Sequence, residues 1–162
     1  MRLPPIEVAA AVIARDGKIL LAKRRGGDLD GLWEFPGGKI EQDETWAHAV
    51  EREILEELAL PVIAGTRLLI LEHEYPDKRV RLHFVRCVLK HELPADETKH
   101  SVHETELHFV QSMPKHESHT EESGWFEPGH FPLSNFCPAD RIAINHIDWK
   151  SVLEHSKDIN SR

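Results

Sequence analysis

Apolar and polar positions follow distinct rhythms along this chain, and each rhythm predicts an element. From Ile6 to Ala14 the residues are almost continuously apolar, the pattern of a strand buried on both faces. A second apolar run, Lys18 to Lys23, follows Asp16-Gly17, the residue pair of a two-residue hairpin turn. Further on the period lengthens. Trp46, Val50, Ile54 and Leu58 recur every fourth residue behind Thr45, a residue suited to capping. At ~100° per residue they form one apolar stripe on a helix. Val62 to Glu74 is a long apolar run closed by Tyr75-Pro76-Asp77-Lys78. Arg79 to Leu89 then alternates, with Val80, Leu82 and Phe84 set against Arg79, Arg81 and His83, so the two segments predict a second hairpin. Gly124 to Glu127 predicts a last strand. Ala139 to Leu153, carrying Ile142, Ile144, Ile147, Trp149 and Leu153, predicts a closing helix. The residues from Ser156 read as a tail.

The mixture of strands and helices is α+β, and it fits one domain over 1–155 with a tail at 156–162. Residues 93–123 break the rhythm. They hold Pro94, Pro114 and five of the 12 histidines among acidic residues, and read as a polar insertion. Within it Glu106 to Val110 echoes Arg81 to Val85, which suggests an extra short strand. The pairs His100/His103 and His116/His119 have metal-ligand spacing, but no cysteine or stable helix fixes their geometry, so a solvated loop is the better reading.

Composition narrows the partners. A formal net charge of −8 argues against binding a nucleic-acid polymer, which needs clustered Lys and Arg. With 40% apolar residues over 162, the chain can build a real core. Cys87 and Cys137 make neither a disulfide framework nor a CxxC site, so the expectation is a reduced, cytoplasmic protein. The apolar run Val8 to Ala14 is far too short to span a membrane.

The stretch Gly37 to Leu60 concentrates candidate chemistry. Glu41, Glu44, Glu51, Glu53, Glu56 and Glu57 follow Gly37-Gly38, which joins a tight backbone turn to a dense set of hard oxygen ligands. On the helix, Glu53, Glu56 and Glu57 fall within an arc of roughly 100° beside the apolar stripe. Like charges so close repel by roughly 0.2 to 0.5 kcal/mol per pair, which a bound divalent cation would offset. A solvated acidic face is the competing reading.

The spacing is more specific than an acidic cluster. Gly38, five positions, Glu44, seven positions, then Arg52-Glu53-Ile54-Leu55-Glu56-Glu57-Leu58-Ala59-Leu60 resembles the signature of the Nudix hydrolases. One position departs from it: Ala59 stands where the family has glycine, at a helix end that calls for a left-handed residue. The runs LLAKRR at 20–25, GLWEFPGGK at 31–39, HEYPDKRVRLHFV at 73–85 and FPLSNFCPADRIAI at 131–144 resemble the MutT branch.

The resemblance implies the Nudix fold, a mixed β-sheet sandwiched between α-helices. It implies hydrolysis of a nucleoside triphosphate to the monophosphate and pyrophosphate, with Mg²⁺ or Mn²⁺ held by Glu53, Glu56, Glu57 and the Gly38 carbonyl. Arg52 would orient the glutamates, Lys39 and Arg24 would meet phosphate or base, and Phe35 would offer a stacking face. A general base is expected just before the last strand, where Glu117 is favoured over Glu121 and Glu122. Asp140, after Pro138-Ala139, stands where the branch contacts the base, and its plainer reading is a helix cap or first-turn acid. Pro76 lies about where ADP-ribose hydrolases carry a proline, but the MutT branch has one too. The implied substrate is 8-oxo-dGTP, with CTP or a modified dCTP as the rival. A non-catalytic nucleotide-binding module is a further alternative, although no box glutamate is lost. Monomer and homodimer both remain open.

Overall fold

The computed structural model of the protein describes residues 3–92 and 120–160. In chain order it contains β1 (Ile6–Arg15), β2 (Lys18–Arg24), β3 (Trp33–Glu34), β4 (Gly37–Lys39), α1 (Trp46–Leu58), β5 (Val62–Glu74), β6 (Arg79–Leu89), β7 (Thr120–Phe126), α2 (Pro138–Ile144) and α3 (Trp149–Asn160). The strands run in the order β3-β2-β1-β6-β5, with β4 added on β1 and β7 on β2.

Everything is hung on β1. Its end forms the expected tight turn: Asp16 and Gly17 have φ of 50° and 75°, and Arg15 lies opposite Lys18. Beyond Ala14 and Ile19 the two strands part. β1 then pairs in parallel with β6 from Ile6 to Ile13 and antiparallel with β4 from Val8 to Ala10, while β2 runs between β3 and β7. Ala9 to Ile13 are at most 2% exposed, which accounts for the unbroken apolar run.

Two cores result. On one face Ala9, Ala11, Ile13 and Val85 pack against Ala49, Val50 and Ile54 of α1. On the other, Ala10, Val12 and Phe84 pack with Ala139 and Ala143 of α2 and Val152 of α3. The Thr45 hydroxyl accepts the His48 N–H at 3.1 Å, and Ala59 ends α1 in the left-handed conformation, φ 53° and ψ 31°.

Three boundaries differ from expectation. The closing helix is split, because the Asp148 carboxylate accepts the Ser151 N–H at 3.2 Å and so caps a new helix, while the Trp149 indole donates back to the Ile144 carbonyl at 3.0 Å. That second helix runs to Asn160, through the residues expected as a tail. Strand β7 begins at Thr120, inside the stretch assigned to the insertion. The remainder of that stretch, with its histidine pairs and strand echo, lies outside the described residues. Cys87 and Cys137 are free and buried. Among the described residues no helix is long and apolar enough to cross a membrane.

Candidate functional site

The acidic helix is organised by one guanidinium. Arg52 donates to both oxygens of Glu44, through Nε at 2.7 Å and Nη2 at 2.9 Å, and Nη2 also reaches the Lys39 carbonyl at 3.0 Å. Its Nη1 bridges Glu53 at 2.9 Å and Glu56 at 3.3 Å. Glu44 in turn accepts the Glu41 N–H at 3.0 Å, which closes the loop that leads into the helix. The hydrogen bonds to Arg52 hold the Glu44 carboxyl below its usual range, and the same bonds hold Arg52 above its own. Glu53 behaves oppositely. Burial pushes its carboxyl up against the pull of Arg52, and the charges of Glu56 and Glu44 push it further.

That excess of negative charge lies directly against backbone. Gly38 sits in β4 opposite Ala9, and a Cβ on it would overlap the Glu53 carboxyl. Gly37 is constrained too, since its Cβ would strike the Ala9 carbonyl. The Gly38 backbone and Glu53 therefore meet only because the side chain is missing. Glu57 follows on the same helix, half-buried. A crowded, incompletely compensated carboxylate set beside a bare backbone fits a hard divalent cation. Arg52 spans Glu53 and Glu56 where such an ion would compete for their oxygens.

A second cluster comes from three separated segments. Arg24, at the end of β2, pairs with Glu34 of β3 at 3.2 Å. Glu34 also receives the Cys137 thiol at 3.8 Å, and Asp140 of α2 accepts the Phe35 N–H at 3.0 Å. Asp140 is 4% exposed. Burial, reinforced by Glu34, raises its carboxyl well above the usual range. Burial raises the Glu34 carboxyl too, while the charge and hydrogen bond of Arg24 pull it back down. Tyr75, half-buried beside them, is pushed up to about 12 by burial first, with Asp140 adding to it.

Among the described residues, Glu34, Cys137 and Asp140 are the trio whose ligand atoms come within 4.8 Å of one another, and the helix glutamates do not close up in this way. The trio is nevertheless a poor metal site. A guanidinium already occupies Glu34, and burial holds the Cys137 thiol protonated. It is a hydrogen-bonding cradle.

Several expectations change. The Phe35 ring is 2% exposed, edge-on to Phe84, Phe131 and Phe136 and stacked on Trp149 at 5.9 Å, so it is core and presents no open stacking face. Asp140 is not an N-cap: it lies in the first turn of α2 and reaches across to Phe35. Lys39 is exposed next to the Arg52 network, and Arg24 is in the second cluster. Glu117 lies outside the described residues, as does the side chain of Glu121, while Glu122 is held by Lys23 at 3.0 Å. Glu34, Cys137 and Tyr75 were not singled out from sequence. The signal for Glu34 was its place between Trp33 and Phe35, an acid on the opposite face from two core aromatics.

Comparison with known proteins places this geometry. A family model described as the NUDIX domain matches residues 4–134. The chain is 47% identical over 79 residues to a CTP pyrophosphohydrolase of Escherichia coli (strain K12), covering 48% of this chain and 58% of that one. It is 37% identical over 81 residues to an 8-oxo-dGTP diphosphatase of Proteus vulgaris, covering 49% and 72%. It is 33% identical over 149 residues to an ADP-ribose pyrophosphatase of Methanocaldococcus jannaschii, covering 92% and 77%. Among solved structures, a MutT NUDIX hydrolase from Burkholderia pseudomallei superposes with a TM-score of 0.60 at 27% identity, covering 89% and 98%. With Gly37-Gly38 leading into the acidic helix and the mixed sheet held between helices, the chain belongs to the NUDIX domain family.

Proposed function

We propose that the protein hydrolyses a nucleoside triphosphate to the monophosphate and pyrophosphate, and that its preferred base is an oxidised purine, as in 8-oxo-dGTP. The observation that carries this reading is the presence of two separate polar centres on one fold. The Arg52 network collects carboxylates where phosphates and cations meet, and the Arg24–Glu34–Asp140 cradle offers paired hydrogen-bonding groups suited to the edge of a base.

Glu53, Glu56, Glu57 and the Gly38 carbonyl would hold Mg²⁺ or Mn²⁺, which when bound neutralises phosphate charge and acidifies water. The chain's own groups do the rest. Arg52 fixes the carboxylates in register, exposed Lys39 meets phosphate oxygens, and Glu117 serves as general base for the water that attacks an inner phosphorus. In the cradle the carboxyl oxygens of Glu34 and Asp140 accept from N–H groups while Arg24 donates to a carbonyl. A guanine edge presents both, N1–H and N2–H₂ beside O6.

Cytosine also places a donor beside an acceptor, and the 47% identity to a CTP pyrophosphohydrolase favours CTP or a modified dCTP as the second reading. A panel of 8-oxo-dGTP, dGTP, CTP, dCTP and ADP-ribose, read by product release, tests the proposal. The expected result is the highest kcat/KM for 8-oxo-dGTP. Asp140→Ala should cost about 1 to 3 kcal/mol in kcat/KM for the preferred base and little for poor substrates. A ranking led by CTP establishes the second reading, and no turnover of any triphosphate overturns both.

A further inference from the structure

Tyr75 follows β5 and opens the turn into β6, its N–H donating to the Lys78 carbonyl at 2.8 Å. That bond fixes where the side chain starts, and its neighbours fix where it points. The ring packs against the core that holds Phe35, Phe136 and Ala139, meets the His73 ring edge-on at 4.5 Å, and has the Lys78 ammonium over it at 5.7 Å. The hydroxyl end reaches the first turn of α2, where its oxygen accepts a hydrogen bond from the Ala139 backbone. The Ala139 N–H is one of the donors that a helix start leaves without an intrahelical acceptor, and Cys137 at the N-cap makes no side-chain bond to this turn. Tyr75 is thus seated by α2 itself, with Asp140, Cys137 and Arg24 around its hydroxyl.

We propose that the Tyr75 hydroxyl is a specificity-determining donor of the base site, reading the same base carbonyl that Arg24 meets. This rests on the reading of the Arg24–Glu34–Asp140 cluster as the place where a base is bound.

The balance of donors and acceptors in the cluster supports it. Glu34 and Asp140 both present carboxyl oxygens, whereas Arg24 brings the donors and already engages Glu34 through Nη1 at 3.2 Å. A carbonyl oxygen has two lone pairs, so a guanidinium engaged elsewhere leaves room on it for a second donor. The Tyr75 oxygen, having taken the Ala139 N–H, still carries a proton to give. Burial above all pushes the phenol up to about 12, against the pull of the Ala139 bond, so the proton stays on the oxygen throughout the neutral range. An adenine would place an amino group where guanine has O6, and Arg24 has no acceptor for it.

Isothermal titration calorimetry of the full chain with nucleoside monophosphates tests the inference without relying on turnover. In 6-thio-dGMP a sulfur, a weak acceptor, replaces the carbonyl oxygen while N1–H and N2–H₂ remain, and 2-thio-dCMP makes the same exchange on cytosine. Tyr75→Phe removes the hydroxyl and keeps the ring, so its circular dichroism spectrum should match that of the wild type. For the base that binds, this variant should weaken the oxygen form at least about tenfold and the sulfur form less than about threefold. Equal weakening of both forms would mean that Tyr75 only seats α2, and an unchanged Kd for the oxygen form would mean that it does not touch the base. Either result overturns the inference, as does a wild type that binds neither base. A wild type that binds with the expected pattern yet releases no pyrophosphate from any triphosphate upholds the inference and overturns the hydrolysis reading.

Discussion

The Glu53 carboxyl occupies the space that a side chain on Gly38 would fill. Gly38→Ala would therefore leave β4 paired with β1 but swing Glu53 away from the Gly38 backbone and from Arg52. The expected outcome is a loss of kcat of at least about 100-fold, with a circular dichroism spectrum like that of the wild type. Because the clash is with the far end of a flexible side chain, the change in unfolding free energy should stay below about 2 kcal/mol. An active variant would mean that the Glu53 position is not critical.

Glu56 separates charge from shape. Its carboxylate takes the longest of the Arg52 contacts described on the helix, 3.3 Å, and it raises the carboxyl of Glu53. Glu56→Gln keeps the side-chain volume and removes the charge. Turnover should drop at least about 100-fold, and half-saturation by Mg²⁺ should move to higher concentration. Thermal stability without added metal should hold or rise, since a repulsion is relieved. Turnover near that of the wild type would remove Glu56 from the proposed ligands.

Asp140 makes stability depend on pH. Burial first, and Glu34 second, hold its folded carboxyl above the unfolded value of about 4. A group raised in this way contributes stability that is fully present below the unfolded value and is lost as pH rises through the folded one. Asp140→Asn keeps an oxygen for the Phe35 N–H and cannot ionise. Urea unfolding at pH 5 and pH 8 should show the wild type losing stability relative to this variant on going to the higher pH. Parallel behaviour of the two proteins would mean that Asp140 is charged in the fold.

Ala59 is strained by its left-handed backbone. Ala59→Gly should stabilise the protein by about 1 kcal/mol, read as a rise in the urea midpoint without a change in slope. No rise would mean that unfolded-state entropy offsets the relief.

What was legible in the sequence was whatever short-range rules decide. The every-fourth-residue stripe gave α1 to within a residue, Asp16-Gly17 gave the turn, and the box spacing gave Arg52 and its glutamates. Ala59 met the left-handed demand that its position predicted. The Arg24–Glu34–Asp140 cluster was only half visible. Asp140 and Glu34 are carried by α2 and β3, and it is the 105-residue span from Asp140 back to Phe35 that closes them together. The upward shift of the Asp140 carboxyl was equally hidden, because it arises from burial and from Glu34, neither of which spacing reveals. Phe35 was misplaced because an aromatic beside a glycine turn is read alike whether it faces a ligand or Trp149.

The parallel pairing of β1 with β6 also dictates an order of assembly. Glu7 and His83 hydrogen-bond across 76 residues, and no local turn can bring them together. During synthesis β1 is made well before β6, and until β6 arrives it can pair only with β2 at the hairpin and with β4 at Val8 to Ala10, leaving the side that takes β6 open. Refolding should therefore be slow for a domain of this size, with aggregation competing until β6 docks, and its rate should respond to substitutions in β1 and β6 far more than to those in α3.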